Sequence, residues 1–540
     1  MLKQNLAVNA SWWQKGIIYQ IYPRSFMDSD GDGIGDLTGI VKNLDYLQWL
    51  GVDAIWISPI YPSPMADFGY DISDHTAIHP IFGTLADFDQ LLSQAHACNI
   101  KVILDFVPNH TSEQHPWFLE SRSSRDNPKR SWYIWADPAA DGGPPNNWVS
   151  NFGGPAWTLD EKTGQYYYHA YLPQQPDVNW RNPEVEAAML GVMRFWLERG
   201  VDGFRVDALR QIFKDDQLRD NPINPDYELE QGPYKALLPL HTTDLPETLA
   251  AVERMRQTLD VYSERVLIGE LYLPIERLVA YYGVNGGGCH LPFNFHLIFT
   301  AWDAVAIATL IQRYEAALPP SGWPNWVLGN HDKARIASRI GKEQARIAAM
   351  LLLTLRGTPT LYYGDEIGLH DVPIPPDQVQ DPFERNVPGL GLGRDPERTP
   401  MQWNAEHNAG FTAGAPWLPL ADDYAVQNVA AQQQDPNSIL ALYRRLIALR
   451  QQAPALQLGA YRWVQSQGTL LAYVRHAADQ QFLIILNLGS EPAEFSHPDL
   501  DLQGQVIVSS NLAHEGQVLS GTVTVSGDEG LLIRLTAEGN

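Results

Sequence analysis

Four clusters of polar residues each follow a short apolar segment, and this recurrence constrains the fold more than any other feature. The clusters are DFVPNH (105–110), GFRVDALR (203–210), GEL (269–271) and NHD (330–332). Alternation along a strand puts residues i and i+2 on the same side, so Arg205 and Asp207 face one region. A neighbouring guanidinium favours the ionised, nucleophilic form of a carboxyl group. A single Arg-x-Asp is most often a structural ion pair, but four ordered clusters indicate a functional site.

Strand-like and helix-like segments alternate along most of the chain. The predicted strands are the apolar runs at 16–26, 54–60, 101–107, 203–206, 265–271, 291–295, 325–330 and 358–368. Segments with apolar residues at helical spacing lie between them, for example at 37–50, 85–97 and 183–199. This alternation predicts an α/β fold with a parallel sheet covered on both faces. Eight such units predict a (β/α)8 TIM barrel, with its active site at the carboxyl ends of the strands.

The alternation is interrupted once and ends before the C-terminus. Residues 108–174 are rich in Pro, Gly, Asn and aromatic residues, and a structureless loop of this length is improbable in a compact domain. We therefore predict a loop-rich subdomain inserted after the third strand. Beyond residue 459 the apolar pattern has period two, which predicts a C-terminal antiparallel β-sandwich domain over 459–540. The barrel then comprises 1–107 and 175–458.

The composition restricts the classes of partner and compartment. A formal net charge of −25 argues against nucleic acid and anionic membrane surfaces, both of which attract Lys and Arg. The N-terminal segment lacks the apolar core of a signal peptide, and no run of eighteen apolar residues occurs. We therefore expect a cytoplasmic protein with a neutral small substrate, either a monomer or a small homo-oligomer. Cys98 and Cys289 are too few for a disulfide framework and match no metal motif.

An aspartate-rich loop, DSDGDGIGD (28–36), follows the first predicted strand. Acidic residues at every second position, separated by glycines, can wrap a hard cation with oxygen ligands. The candidate ligands are the side chains of Asp28, Asp30, Asp32 and Asp36 and the carbonyl of Ile34. Gly39 stands where an EF-hand loop has its glutamate, and a solvated acidic turn is the alternative. We predict a structural Ca²⁺ site and no organic cofactor.

Together these motifs resemble the α-amylase superfamily, glycoside hydrolase family 13, in its α-glucosidase and oligo-1,6-glucosidase branch. The resemblance covers nearly the whole chain, from YQIYPRSF (19–26) to RTPMQW (398–403) and the C-terminal domain. The four clusters occur in the order typical of the family. QPDVNW (175–180) is similar to the segment that marks the glucosidase branch.

The resemblance implies a role for each carboxyl of the clusters. Asp207 would be the nucleophile, Glu270 the general acid/base, and Asp332 the carboxylate that fixes sugar hydroxyls in the transition state. Arg205 would keep Asp207 ionised. Retaining hydrolysis needs one ionised and one protonated carboxyl about 5–5.5 Å apart. Glu270 follows the apolar run VLIG, so we expect desolvation to favour its protonated form.

The resemblance also implies contacts to the sugar in subsite −1. His110 and His331 would hydrogen-bond this sugar, and Tyr70 would stack on it. Phe152 and Tyr171 are candidates for the apolar walls of the subsite. Taken singly, His110 could cap a loop and Tyr70 could belong to the core. Their joint order in the chain favours the site.

Specificity is expected to follow from two further features. Asp71 and Arg398 would clamp the non-reducing end, which predicts release of single glucose units; Arg398 could also be a structural ion-pair partner. In the family, Val after the nucleophile accompanies α-1,6 activity and smaller residues accompany α-1,4 activity. Ala208 at this position predicts a preference for maltose-type links. Since a methyl-scale difference discriminates by only about 1–3 kcal/mol, mixed activity is compatible with it.

The predicted function is therefore a retaining exo-acting α-glucosidase acting on short α-glucosides. The alternatives within enzymes are an oligo-1,6-glucosidase, or a transglycosylase or isomerase of the sucrose or trehalose type. The sequence has no arginine-rich loop after the sixth strand of the kind that sucrose isomerases carry, which disfavours the isomerase. Non-enzymatic transporter-associated members of the superfamily have a membrane anchor and degraded motifs, whereas this chain keeps all three carboxyls.

Overall fold

The computed structural model describes residues 10–477, 480–498, 500 and 502–536. Residues 1–9 lie outside this part. They make up most of the N-terminal segment that was predicted to lack the apolar core of a signal peptide. Eight parallel strands form the centre of the molecule. They are Ile18–Ile21, Ala54–Ile57, Lys101–Phe106, Gly203–Val206, Val266–Gly269, Leu291–Pro292, Asn325–Val327 and Thr358–Tyr362. The predicted (β/α)8 barrel is confirmed.

The barrel is nearly closed. The first six strands pair in parallel in sequence order, the seventh pairs with the eighth, and the eighth pairs with the first. Within the described residues, no ladder joins the sixth strand to the seventh. The sixth strand has only two residues and ends at Pro292, which has no N–H to donate. At Gly203 a Cβ would lie 2.3 Å from the Val266 carbonyl oxygen, so only glycine allows the fourth and fifth strands to approach this closely.

Helices of four or more residues surround the barrel. They are Trp12–Lys15, Leu37–Lys42, Leu44–Leu50, Leu85–Ala97, Pro183–Arg199, Glu247–Leu259, Ile275–Leu278, His296–Phe299, Ala304–Ala317, Ile336–Ile340 and Lys342–Thr354. The helix predicted at 37–50 is interrupted at Asn43, whose side chain donates to the Gly39 carbonyl at 2.9 Å. No helix in the described part of the chain combines the length and the hydropathy needed to cross a bilayer.

A small sheet lies within the stretch predicted as an inserted subdomain. Its strands are Trp135–Ala136, Trp157–Asp160 and Gln165–Tyr168, paired antiparallel around the third. Helix Pro116–Ser121 precedes them. Aromatic side chains fill this core, with Trp148 stacked on Trp157 at 5.8 Å. The bounds 108–174 remain those predicted from the sequence.

Beyond the barrel, helices Val429–Gln434, Ile439–Gln452 and Pro454–Gln457 lead to two antiparallel sheets. The larger sheet contains Ala460–Gln467, Leu470–Ala477, Gln480–Asn487, Gly530–Leu535, Gln503–Ser509 and Val518–Ser520. A smaller sheet pairs Ala493–Phe495 with Val523–Val525, and the apolar side chains of both sheets share one core. The other face of the large sheet packs on the barrel, where the Tyr473 and Thr354 hydroxyls lie 2.6 Å apart. The predicted C-terminal antiparallel domain is confirmed.

Candidate active site

A cavity of about 480 Å³ opens at the carboxyl ends of the barrel strands. Asp207, Glu270 and Asp332 line it, and they follow the fourth, fifth and seventh strands. Six of the predicted binding residues also line the cavity, namely Tyr70, His110, Phe152, Tyr171, Ala208 and His331. The three that do not are Arg205, Asp71 and Arg398. The tertiary structure therefore brings together side chains from widely separated parts of the chain.

The guanidinium group of Arg205 lies beneath the cavity and contacts three carboxyls. Its Nη1 atom is 2.7 Å from Asp105 Oδ1 and 2.8 Å from Asp207 Oδ1. Its Nη2 atom is 2.9 Å from Glu270 Oε1. Arg205 is fully buried, and its guanidinium lies 5.0 Å from the centre of the Trp56 ring. One cation thus fixes the relative positions of the two predicted catalytic carboxyls.

The protonation of this cluster is shared rather than set by one residue. Burial raises the pKa of Asp207 well above its usual range and the nearby Glu270 carboxylate raises it further, while Arg205 opposes both. Burial also raises the pKa of Asp105 to about 6, against the pull of Arg205. Arg205 therefore acts in the predicted direction but does not by itself keep Asp207 ionised. The charge of Asp207 therefore depends on burial and on both of its neighbours, Glu270 and Arg205.

The Ala208 backbone orients Glu270. Ala208 has a left-handed conformation (φ 46°, ψ 28°), which is uncommon for a residue with a Cβ. In this conformation its N–H donates to Glu270 Oε2 at 2.8 Å. The residue predicted to influence linkage preference thus also holds the predicted acid/base.

A hydrogen-bonded chain runs under the cavity floor. Gln20 Nε2, which can only donate a hydrogen bond, lies 2.7 Å from His331 Nδ1. The His331 Nε2–H then donates to the Tyr70 hydroxyl at 2.7 Å, and this hydroxyl donates to Asp105 Oδ2 at 3.1 Å. Burial lowers the pKa of His331 well below its usual value, in agreement with a neutral ring. The Tyr70 and His331 rings are parallel, with centres 5.5 Å apart.

His110 is also held by protein groups on both ring nitrogens. Its Nδ1 lies 3.1 Å from the Asn109 amide nitrogen, and its Nε2 lies 3.1 Å from the Tyr70 carbonyl oxygen. Gln175 Nε2 is 3.2 Å from the same Nε2 atom. Burial lowers the pKa of His110 to about 4, so the ring is neutral at pH 7. A sugar hydroxyl at this ring would have to share these protein contacts.

Asp332 lies between two arginines. Its Oδ1 atom is 2.9 Å from Arg398 Nη2 and 3.3 Å from Arg394 Nη1. Burial alone would raise the pKa of Asp332, but His331 and then these two guanidinium groups hold it below its usual range. Arg398, which is buried, also donates from Nε to the His331 carbonyl at 2.7 Å. Arg398 therefore positions Asp332 from behind instead of lining the cavity.

The predicted clamp residues Asp71 and Arg398 do not form a pair. Asp71 is fully buried, and its carboxylate accepts hydrogen bonds from Ser63 Oγ (2.7 Å) and from the Ala66 and Asp67 N–H groups (2.9 and 3.0 Å). These loop donors occupy both of its oxygens. The structure instead pairs Asp67 with Arg394, and both of these residues line the cavity.

The Asp67–Arg394 pair has close geometry. Arg394 Nη2 lies 2.7 Å from Asp67 Oδ1 and 2.6 Å from Asp381 Oδ1. The Arg394 guanidinium also lies 4.7 Å from the centre of the Phe152 ring. The sequence offered a signal for this pair, because Asp67 precedes Tyr70 by three residues and Arg394 precedes RTPMQW by four. Asp105, the first residue of DFVPNH, was likewise not among the predicted site residues.

Replacing Asp67 by Asn is expected to lower kcat/KM for maltose roughly 10- to 100-fold, because a hydrogen bond to a charged group contributes about 1.5–3 kcal/mol. Asp74→Asn is the matched control, since Asp74 is an exposed aspartate on the same loop. Steady-state kinetics on both variants provide the measurement. If the Asp67→Asn variant has the same kcat/KM as the wild type, a contact between this carboxylate and the substrate is excluded.

Aromatic side chains form one wall of the cavity. The Phe152 and Tyr171 rings meet edge to face with centres 5.4 Å apart, and Phe383 lies 5.2 Å from Phe152. The Tyr171 hydroxyl donates to Gln211 Oε1 at 2.6 Å. Tyr171 also lies 5.4 Å from the His110 ring. This wall is apolar towards the cavity and anchored by a hydrogen bond behind it.

The aspartate loop lies outside the cavity. Oxygen atoms of Asp28, Asp30 and Asp36 come within 4.8 Å of one another, whereas Asp32 is not part of this group. Asp28 accepts a hydrogen bond from the Thr412 hydroxyl and backbone hydrogen bonds from residues 30, 31 and 33. The Thr412 bond and then the backbone bonds lower the pKa of Asp28 against the effect of burial. Asp32 Oδ1 instead accepts from the Ile34 N–H at 2.8 Å.

Three comparisons with known proteins agree with this geometry. The family model described as the α-amylase catalytic domain matches residues 20–459. A probable α-glucosidase of Rhizobium meliloti (strain 1021) is 41% identical over 530 residues, which cover 94% of this chain and 96% of that protein. An oligo-1,6-glucosidase of Heyndrickxia coagulans is 39% identical and covers 90% and 94% of the two chains.

Among solved structures, that of an α-glucosyl transfer enzyme has a TM-score of 0.92 at 42% identity. The likeness covers 98% of this chain and 100% of that one. The family resemblance seen in the sequence is therefore confirmed over the barrel and the domains attached to it. The chain belongs to the α-amylase family of glycoside hydrolases, in its α-glucosidase branch.

Proposed function

We propose that this glycoside hydrolase is a retaining, exo-acting α-glucosidase that releases α-glucose from the non-reducing end of short α-glucosides. One observation carries the proposal. Two carboxyls, Asp207 and Glu270, share one guanidinium in a cavity whose wall also contains the Asp67–Arg394 ion pair. A charged pair in this position supports recognition of a terminal sugar rather than passage of a long chain.

The residues can perform a double displacement. Asp207 in its ionised form attacks the anomeric carbon while Glu270 gives its proton to the leaving oxygen. A covalent glucosyl–Asp207 intermediate results, and Glu270 then takes a proton from the water that hydrolyses it. Two inversions restore the α configuration. Asp332, held ionised by Arg394 and Arg398, accepts hydrogen bonds from sugar hydroxyls as positive charge develops on the ring.

A proton NMR time course with maltose, isomaltose and sucrose in parallel tests this function. Early appearance of α-glucose from maltose is the expected result, since retention gives the α anomer before mutarotation. The reducing-end glucose of maltose is released as an α/β mixture, so the transferred glucose is judged from the excess of one anomer over this mixture. An initial excess of β-glucose would overturn the retaining mechanism. The absence of glucose from all three sugars would overturn the α-glucosidase assignment for these substrates.

The preference for α-1,4 links is supported by the small side chain of Ala208 at the cavity wall. Ala208→Val is expected to shift the maltose-to-isomaltose ratio of kcat/KM towards isomaltose by roughly tenfold, within the 1–3 kcal/mol that apolar contacts discriminate. The left-handed backbone at 208 makes a β-branched residue strained, so the melting temperature should fall as well. Ala208→Gly serves as the control for the backbone. An unchanged maltose-to-isomaltose ratio in a folded Ala208→Val variant would show that this residue does not set the linkage preference.

Transglycosylation is a second candidate activity. The observation in its favour is the 42% identity to a protein named as an α-glucosyl transfer enzyme. If a sugar hydroxyl or another alcohol intercepts the glucosyl–Asp207 intermediate, the NMR time course shows new glycosidic signals without a matching amount of free glucose. If hydrolysis is the only reaction observed at high maltose concentration, transglycosylation with maltose as acceptor is ruled out.

We also propose a structural Ca²⁺ site at the aspartate loop. The carboxylates of Asp28, Asp30 and Asp36 suit a hard cation in chemistry and spacing, and Asp32 stands apart from them. The loop is tightly packed, because a Cβ at Gly33 would lie 1.9 Å from the Ala415 carbonyl oxygen. Bound Ca²⁺ would neutralise the repulsion among these carboxylates and join the loop to the segment around 415.

Calcium is accordingly expected to stabilise the fold. After removal of divalent ions, Ca²⁺ at a hundredfold excess over Kd should add about 2.7 kcal/mol to the free energy of unfolding. Calorimetry with and without Ca²⁺ measures this effect. The double variant Asp28→Asn/Asp30→Asn should lose the response. Equal melting temperatures for verified ion-free and Ca²⁺-supplemented wild-type protein would refute the site.

A further inference from the structure

Three cationic side chains line the active-site cavity without a carboxylate partner. They are Arg210, Lys235 and Lys333. Among the described residues, none of them lies within ion-pair distance of a carboxylate, because the catalytic carboxyls pair with other arginines. Unpaired cations are unexpected at one wall of a cavity in a chain with a net charge of −25.

We assign these cations to the aglycone side of the cavity, because Arg210 and Lys333 both approach Tyr272. Glu270, which protonates the leaving oxygen in the proposed mechanism, is close to Tyr272 in the sequence. Arg210 follows the nucleophile by three residues, and Tyr272 follows Glu270 by two. The Arg210 guanidinium donates to the Tyr272 carbonyl at 2.7 Å and lies 5.6 Å from the centre of the Tyr272 ring.

Lys333 approaches the same aromatic pair. Its Nζ atom lies 5.8 Å from the centre of the Tyr272 ring and 5.7 Å from that of Phe299. Phe299 is 59% exposed, which is a large value for an aromatic residue at a cavity. Tyr272 and Phe299 thus offer an aromatic platform, and cations flank it.

Lys235 completes the group from the segment 231–235, which lines the cavity. Its side chain is exposed, yet partial desolvation and then the nearby charges of Arg210 and Lys333 lower its pKa. The three cations are therefore close enough to repel one another. An anion placed among them would relieve this repulsion.

The remaining acids of the cavity do not supply that anion. Asp371 accepts the Arg335 backbone N–H at 2.8 Å, and burial raises the pKa of Glu397 well above its usual range, which favours the neutral acid. Among the described residues, neither of these two carboxyls forms an ion pair with Arg210, Lys235 or Lys333.

We propose that the aglycone subsites bind α-glucosides whose leaving group carries an anion, either a carboxylate or a phosphate. This inference rests on the proposed α-glucosidase function and specifies its substrate class. Lysine and arginine bind both kinds of anion through charge-assisted hydrogen bonds. The glucosyl group to be transferred is neutral and stays at Asp207 and Asp332, while the charged part of the substrate lies against Arg210, Lys235 and Lys333.

Matched substrate pairs test the inference. Maltobionate carries a carboxylate where maltitol carries a hydroxymethyl group. Trehalose 6-phosphate carries a phosphate that trehalose lacks. At low salt the expected kcat/KM ratio of the charged to the neutral member is at least about tenfold in one pair, and high salt should reduce it, because exposed charges are screened. A preference in the first pair alone identifies the carboxylate, and one in the second alone identifies the phosphate.

The double variant Lys235→Gln/Lys333→Gln should reduce this ratio at least tenfold. Lys162 is an exposed lysine in the turn between strands Trp157–Asp160 and Gln165–Tyr168, and Lys162→Gln is the matched control that should leave the ratio unchanged. Ratios near one for both pairs in wild-type protein, with maltose hydrolysed, would overturn the anion inference and leave the proposed function intact. If no sugar is hydrolysed, calorimetric titration of Glu270→Gln protein with both pairs decides the inference. Equal affinities within each pair would then overturn it.

Discussion

Asn at position 207 is expected to reduce kcat for maltose by roughly 10⁴- to 10⁶-fold, the range expected when a catalytic nucleophile is removed. The amide lacks the charged oxygen that attacks the anomeric carbon. The change is nearly isosteric, and Arg205 Nη1, which lies 2.8 Å from Asp207 Oδ1, can still donate to the amide oxygen. The fold should therefore survive, which circular dichroism and the melting temperature will show. Asp89→Asn, at an exposed ion pair with Arg199, is the control.

The roles of the two carboxyls can be separated by the leaving group. Glu270→Gln should lose much more activity on maltose than on 4-nitrophenyl α-glucoside, because a phenolate of low pKa needs little protonation as it leaves. Asp207→Asn should lose activity on both substrates. Full turnover by a folded Asp207 variant would refute its assignment as the nucleophile, and equal losses on both substrates in the Glu270 variant would refute the acid role.

Arg205→Met is expected to lower the free energy of unfolding by about 3–5 kcal/mol, the cost of leaving buried charges without their partner. The guanidinium contacts Asp105, Asp207 and Glu270, so its removal leaves three carboxyls in a desolvated site. Chemical denaturation at pH 7 measures the loss. Because protonation relieves that repulsion, the deficit should shrink as the pH falls.

The same substitution should move the acidic limb of the pH–activity profile. Arg205 lowers the pKa of Asp207 against burial and Glu270, so its removal raises that pKa further. Since Asp207 must be ionised to attack, kcat/KM in the variant should begin to fall at a higher pH than in wild type. Arg205→Lys, which keeps the charge, should shift the limb less. An unchanged acidic limb in Arg205→Met would show that this guanidinium does not control the nucleophile.

Much of the fold followed from local pattern. Each barrel strand is a nearly continuous apolar run, because both faces of a parallel sheet are buried, and each was located to within a few residues. The prediction of one continuous helix over 37–50 was wrong, because the Asn43 side chain competes for a backbone carbonyl inside the segment. The sixth strand was the weakest in the sequence and is the shortest in the barrel.

The predicted catalytic carboxyls could also be located from the sequence, because each follows a strand whose carboxyl end faces the cavity. Asp207 and Glu270 follow their strands directly, and Asp332 follows after a short loop. Barrel geometry places these three residues at the cavity, and the family resemblance implies their roles. The aromatic residues Tyr70, Phe152 and Tyr171 came instead from the family resemblance, and the structure places them at the cavity wall.

The sequence alone determined the strand order and the three carboxyls at strand ends, since periodicity and strand direction are local properties. Only the tertiary structure decided that Asp67 rather than Asp71 meets an arginine of the cavity wall, and that this arginine is Arg394, 327 residues further along the chain. Loop conformation decides it, because three donors of the 63–67 turn fill the Asp71 carboxylate and leave Asp67 to face inward. Contacts between loops depend on the relative placement of distant segments, and no local pattern encodes that placement.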